Sequence, residues 1–208
     1  MHHNDINLTI IDYGMGNLHS VYKKCKRLGY NAIISNQKED ITNADKLILP
    51  GVGHFANGMK KLQKYDLIET LNHQVQIRKT PILGICLGMQ LFCSFSEEGD
   101  VEGLNWIDAK VIRFKISDHR YKIPHMGWNS VNIKKESTIF DSYDKNRLFY
   151  FVHSYHVLCN EDKDILGTTD YGYKFVSAIK KNNILGVQFH PEKSHEWGEQ
   201  LLKNFLEE

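Results

Sequence analysis

Apolar positions follow two textures along this chain. In the first half, short runs rich in β-branched and apolar residues are bounded by glycine, proline or polar residues and read as strands. They are "LTIID", "NAIIS", "DKLILPG" and "PILGI". Between them the period becomes helical. "NLHSVYKKCKRLG" spaces Leu18, Val21, Tyr22, Cys25 and Leu28 as one helix face and stops at Gly29. A further helical region runs from about His54 to Arg78, with a break near Tyr65 and Asp66. Strands alternating with helices predict right-handed βαβ units around a parallel sheet. After about Glu98 the texture changes to β-rich runs, "AKVIRF", "NSVNI", "RLFYFVHSYHVL" and "FVSAIKKNNILGVQF", with an amphipathic closing helix over "EWGEQLLKNFLEE". No repeat, low-complexity stretch or linker interrupts the pattern. The reading is one mixed α/β domain over residues 1–208 with a β-rich second half.

Composition narrows the classes. A chain of 208 residues buries a sizeable core without disulfides or metal. The formal net charge of +1 gives no reason to expect nucleic acid or an acidic membrane as partner. The N-terminus lacks a signal-peptide pattern, and no apolar run approaches membrane-spanning length. Cys25, Cys86, Cys93 and Cys159 show no CxxC pairing and read as reduced thiols of a cytoplasmic protein. His2 and His3 fit an N-terminal tail better than a metal site. Without a P-loop, nucleotide fingerprint or metal cluster, no cofactor is expected.

Three features fall at carboxyl ends of strands, where open α/β sheets bind ligands. The first is Cys86, in "GICLG". Flanking glycines suit a nucleophile on a sharp strand-to-helix turn, and a helix start favours a thiolate. The second is "LPGVGHF" (Leu49 to Phe55), whose backbone N–H groups near Val52 and Gly53, with that of Leu87, could face an oxyanion. The third is "GVQFHPE". If extended geometry persists there, His190 and Glu192 point the same way. His190 could then exchange the thiol proton with a leaving amine, and Glu192 could hold the imidazole tautomer. Together these parts describe acyl transfer from an amide or thioester.

Each part alone has a plainer reading. GxCxG permits tight strand–helix packing, HPE serves as a surface turn, and PGVG as an ordinary turn. Cys25 and Cys93 lie in helix-like patterns and read as packing residues. His153 and His156 flank a β-rich run and could be ligands, but satisfied structural histidines are the commoner case. His119 and His125 lie in loop-like stretches, and "KKNN" reads as a solvated turn.

The combination is more specific. "PGVG", "GICLGMQ" and "GVQFHPE", in this order and position, resemble the class I glutamine amidotransferase family. "DYGMGN", "PHMGWN", "FVHSY" and "HPEKS" extend the resemblance from Ile10 to Leu206, and are most similar to the glutaminase subunits of histidine biosynthesis. The resemblance implies a flavodoxin-like α/β fold. It implies Cys86 as nucleophile, His190 as general base and acid, and Glu192 as the residue orienting the histidine. It assigns glutamine binding to Gln90 and Glu98, the substrate's carboxylate end to backbone near Gly51, Ser154 and Tyr155, and the oxyanion to Val52, Gly53 and Leu87. It implies a heterodimer with a separate (β/α)₈ cyclase subunit. That subunit uses channelled ammonia to make imidazole glycerol phosphate and an aminoimidazole carboxamide ribotide. Asn17, Met126, Trp128 and Asn129 match motifs on the face towards the cyclase. It also implies activation by that partner, which would need the glycine-flanked peptides of Gly51-Val52-Gly53 to rotate. Two further readings stand beside this one. A related subunit could supply ammonia to another acceptor, such as a nucleotide sugar in surface-polysaccharide synthesis. A non-catalytic binding subunit is the other, and the intact Cys86, His190 and Glu192 argue against it.

Overall fold

Continuous apolar runs in the first half become strands covered on both faces. In the computed structural model, which describes residues 6–141 and 147–208, β1 (Leu8–Ile11), β2 (Ala32–Ser35), β3 (Lys46–Gly51) and β4 (Ile82–Cys86) lie parallel in the order β2-β1-β3-β4. His2 and His3 lie outside the described residues. Every residue of β1, β3 and β4 is buried. That is why these strands show no apolar–polar alternation: parallel strands between two helix layers have no solvent face. On one side Val21 and Cys25 of α1 (Leu18–Arg27) join Leu8, Ile10, Ile48 and Leu83 in a common core. On the other, α2 (Lys38–Thr42), α3 (Phe55–Lys64) and α4 (Ile68–Asn72) contribute Ile41, Phe55, Leu62 and Leu71 against Ile11, Leu47 and Ile82. The expected helix break falls at Asp66, whose φ is 54°, and the second helical stretch ends in a π-helical turn over His73–Ile77.

After the short helix α5 (Leu87–Leu91), the chain turns mainly antiparallel. It forms β5 (Cys93–Ser96), β6 (Val101–Glu102), β7 (Ile107–Arg113), β8 (His125–Ser130), β9 (Asn132–Ile133), β10 (Leu148–His153), β11 (Tyr155–Cys159), β12 (Ile165–Tyr171), β13 (Tyr173–Lys181) and β14 (Ile184–Val187). The closing helix α6 (His195–Glu207) buries Leu201, Leu202, Phe205 and Leu206 beside α1. β14 returns beside β4 in parallel, so the order continues β4-β14-β13-β11-β7-β5-β6. β12 attaches beside β13 and β9 beside β12, while β8 and β10 form a separate antiparallel ribbon. The run "RLFYFVHSYHVL" is therefore two strands broken at Ser154, and the turn in "KKNN" has Asn182 at φ 54°.

Three expectations change. Cys93 opens β5 and is not helical; it is still a fully buried packing residue. His125 is no loop residue but the buried first residue of β8. The extended geometry of β14 ends at Val187, and Pro191–Lys193 form a 3₁₀ turn. Strand alternation is thus not what brings His190 and Glu192 together.

Candidate active site

The elbow is a local consequence of β4 running into α5. Cys86 is the last residue of β4 and adopts φ 55°, ψ −109°, a backbone conformation that side-chain-bearing residues rarely hold. The two glycines of GxCxG are required by packing. A Cβ on Gly84 would come within 2.7 Å of the Met89 nitrogen, and one on Gly88 within 1.8 Å of the Leu49 carbonyl oxygen. Close helix–strand packing is therefore what presses the turn into its strained shape; the plainer reading and the elbow reading describe one device. Cys86 is buried, with 7% of its surface exposed.

β14 ends beside β4, with Val187 opposite Ile85, which carries the following residues to the elbow. His190 Nδ1 and Glu192 Oε1 are 2.9 Å apart, and both side chains are almost fully buried. The 3₁₀ turn at Pro191 closes this pair. Ser194 steadies it, its hydroxyl donating to the His190 carbonyl at 2.6 Å. Burial works against a charged imidazole here. The charge of Cys86, with Glu192 beside the ring, outweighs burial and lifts His190 to about 10. Cys86 acts on the ring through its charge and through a hydrogen bond, ahead of Glu192. The imidazole is therefore held protonated at neutral pH.

Beside the thiol lies a cavity of about 180 Å³ lined by Val52, Gly53, Cys86, Leu87, Gln90, Glu98, Val152, His153, Ser154 and Tyr155. Seven residues expected to bind substrate or oxyanion thus share one wall. Gly51 does not line it. Gly51 is the partner of Cys86 in the β3–β4 register, buried so tightly that a Cβ would lie 2.3 Å from the Tyr13 hydroxyl. Of the three residues expected to swing, Gly51 is locked in the sheet. Gly53 sits at φ 109°, and neither Val52 nor Gly53 donates its N–H to a backbone carbonyl among the described residues. Glu98 is half engaged: one carboxylate oxygen accepts the Phe55 N–H at 2.8 Å at the start of α3.

Two residues escaped the sequence reading. Gln188 is completely buried; its Nε2 reaches Cys86 Sγ at 3.6 Å, and its Oε1 accepts from Gln90 Nε2 at 2.9 Å. A glutamine inside the apolar run "GVQF" was the available signal, because a buried amide needs partners. Tyr13, in "DYGMGN", is fully buried with its hydroxyl unpartnered. Burial, then the charge of Cys86, pushes its pKa above the ordinary phenol value. With His190 Nε2 and Glu192 Oε2 also without a geometric hydrogen-bond partner among the described residues, three such polar atoms belong to the residues around one thiol. Such clustering is expected of a working site, not of a structural core.

The expected docking residues divide. Met126 and Trp128 on β8 are exposed, at 61% and 44%. Asn129 is half-buried and engaged inward with the Asp170 carbonyl at 3.0 Å. Asn17 precedes α1, half-buried, on the loop where Gly16 packs against Pro50.

A profile of the family described as "Glutamine amidotransferase class-I" matches residues 9–208. The chain is 51% identical over 201 residues to "Imidazole glycerol phosphate synthase subunit HisH 2" of Methanococcus maripaludis, covering 97% of this chain and 99% of that one. It is 48% identical to the subunit of the same name in Pseudomonas aeruginosa, covering 96% and 98%. A solved glutamine amidotransferase, 17% identical, superposes with a TM-score of 0.74 over 96% of this chain and 97% of that one, a likeness of fold. The chain belongs to the class I glutamine amidotransferases.

Proposed function

We propose that this member of the class I glutamine amidotransferases hydrolyses L-glutamine to L-glutamate and ammonia as the glutaminase subunit of an imidazole glycerol phosphate synthase. In this reading it works in the cytoplasm and passes the ammonia to a separate cyclase subunit. One observation carries the chemistry: a cysteine at φ 55° opens on a cavity and is charge-coupled to a buried histidine that Glu192 holds at 2.9 Å. The relatives' shared name favours this acceptor over a sugar substrate or a non-catalytic role.

The reactive pair is a Cys86 thiolate and a His190 imidazolium, formed when His190 takes the thiol proton. The thiolate attacks the carboxamide carbon of glutamine, and the carbonyl oxygen becomes an oxyanion facing the N–H groups of Gly53 and Leu87. His190 gives its proton to the departing nitrogen, ammonia leaves, and a thioester remains. Neutral His190 then takes a proton from water, and the hydroxide adds to the thioester. Collapse of that adduct frees glutamate and restores the thiolate and imidazolium. Glu98 would face the substrate's ammonium group, with Ser154 and Tyr155 at its carboxylate. Met126 and Trp128 would take the cyclase, as exposed anchors flanking a rigid ribbon. Because Gly51 is locked, any activating rearrangement of the oxyanion loop falls on Val52 and Gly53.

The test is Cys86→Ala in the reconstituted two-subunit enzyme. Glutamine-dependent product should fall below detection, while ammonium-dependent product stays at the wild-type rate. Substantial glutamine-dependent activity in that variant would remove Cys86 from the mechanism. Equal glutamine hydrolysis by the wild-type chain alone, with cyclase, and with cyclase plus its ligand would defeat partner activation.

A further inference from the structure

Behind the substrate cavity runs a chain of hydrogen bonds whose direction the chemistry fixes. The Tyr155 carbonyl oxygen can only accept, so His153 Nδ1, 2.7 Å away, carries the hydrogen. A neutral imidazole then presents Nε2 as an acceptor, and His125 Nδ1, 3.0 Å from it, must be the donor. His125 Nε2 is in turn an acceptor, met at 3.4 Å by Asn129 Nδ2. The Asn129 amide has the orientation this needs, since its Oδ1 accepts the Ser130 N–H at 2.8 Å. Every donor in the series points the same way, from the β8–β10 ribbon towards the cavity. Burial keeps both rings below the ordinary histidine pKa, His125 at about 4, in agreement with the neutral forms the geometry requires.

The ribbon register places His153 opposite His125, and His125 is stacked between Phe151 at 4.8 Å and Tyr171 at 4.0 Å, so neither ring is free to turn. The Tyr155 carbonyl also receives Gln90 Nε2 at 3.0 Å, and Gln90 continues to Gln188 and Cys86. One peptide oxygen is thus the junction between the ribbon and the network around the thiol.

We propose that His125 and His153 form a tautomer-locked positioning pair that fixes the Ser154–Tyr155 backbone for the carboxylate end of glutamine. The proposal rests on the glutaminase reading of the cavity. It adds a division of labour: affinity is set at the Tyr155 carbonyl through two histidines, of which His125 does not line the cavity, and turnover is set at Cys86 and the oxyanion loop. Losing the His125 donor leaves His153 Nε2 unpartnered in a buried site. The Tyr155 carbonyl still requires Nδ1–H, but the ring has lost the contact that holds its far edge and with it the fixed aim of that donor.

The experiment is steady-state kinetics on the two-subunit enzyme with His125→Leu and His125→Asn. His125→Leu should raise the glutamine KM about tenfold, the size of one buried hydrogen bond, with kcat within about twofold. His125→Asn keeps an N–H at the position of Nδ1 and should restore KM to within about threefold of wild type. Unchanged KM in a folded His125→Leu protein, or a loss confined to kcat, overturns the proposal. If that variant does not fold, imidazole ¹⁵N shifts of the wild-type chain decide instead: both rings neutral with Nδ1–H are expected at pH 7, and Nε2–H on His153 overturns it. A wild-type enzyme that hydrolyses no glutamine counts against the functional reading, and the ¹⁵N spectrum still reports on the pair.

Discussion

In the parallel part of the sheet, every residue of β1, β3, β4 and β14 is buried and helices cover both faces. The β8–β10 ribbon instead alternates: Phe149, Phe151 and His153 point inward on β10, while Met126 and Trp128 on β8 stand in solvent. The first region can hold a cysteine at φ 55° because close packing on all sides over-determines it. The second has two usable faces. Its inner face lies against one end of the cavity, and its outer face exposes Met126 and part of Trp128, whose ring stacks on His195 at 4.9 Å. In the proposed reading, strain and chemistry fall to the region with no freedom, and substrate positioning and docking to the region with some.

The largest effect expected of that contrast lies in the catalytic trio. His190→Ala should lower kcat of the two-subunit enzyme by about 10³–10⁴, the upper part of the range for a lost proton-transfer group. Glu192→Ala should cost less, about 10². Glu192 orients the ring, whereas His190 itself moves the proton, so losing the carboxylate leaves the acid–base group in place. A Glu192 variant slower than the His190 variant would contradict this division of roles.

Next comes packing. A methyl on Gly88 would clash with backbone, 1.8 Å from the Leu49 oxygen, so Gly88→Ala should cost about 3 kcal/mol, as overpacking of a rigid interior does. Gly127 on the ribbon provides the contrast. It also has a positive φ, of 136°, but a Cβ there would meet nothing within 4 Å. Gly127→Ala should cost only the backbone strain, about 1 kcal/mol. Chemical denaturation of the two variants measures the difference. Equal losses would mean that the parallel region yields as easily as the ribbon.

The same contrast governs what the sequence could disclose. Period and punctuation located the parallel strands, because runs such as "PILGI" are long enough and apolar enough to have one reading. "GICLG" and "GVQFHPE" stood out because glycine, cysteine, histidine and proline are tied to particular backbone needs. His125 was read as a loop residue, since "KIPHMGWN" has no alternation strong enough to betray a strand. Cys93 was read as helical because "GMQLFC" continues the helical period past Leu91, where the chain in fact switches to β5. Gln188 and Tyr13 were missed because their importance lies in partners remote in sequence: Gln188 meets Gln90 and Cys86, 98 and 102 residues away. Local pattern carries no record of such meetings.

The smallest effect concerns acid. Burial lowers His125 from an ordinary 6.5 to about 4, and also lowers His153 and His156, so all three are neutral in the folded chain. In the unfolded chain each takes up a proton near pH 6.5. Below that value the unfolded state binds more protons than the folded state, so stability falls as pH drops from about 6.5 towards 4. Between pH 7 and 5 most carboxylates do not titrate, and His190, held protonated in the fold, works in the opposite sense near pH 7 and offsets part of this loss. The melting temperature of the wild type should fall by a few degrees across that range. In His125→Leu the fall should be shallower, whatever the absolute stability of the variant, since one proton-linked group has gone. The slope is the informative quantity: the height of the curve also records the hydrogen bond lost to His153, while the slope records only protons. A slope unchanged by His125→Leu would mean that His125 is already protonated, or readily protonated, in the folded ribbon. The inward face of the ribbon would then be wetter than its burial implies, and the contrast with the parallel region correspondingly weaker.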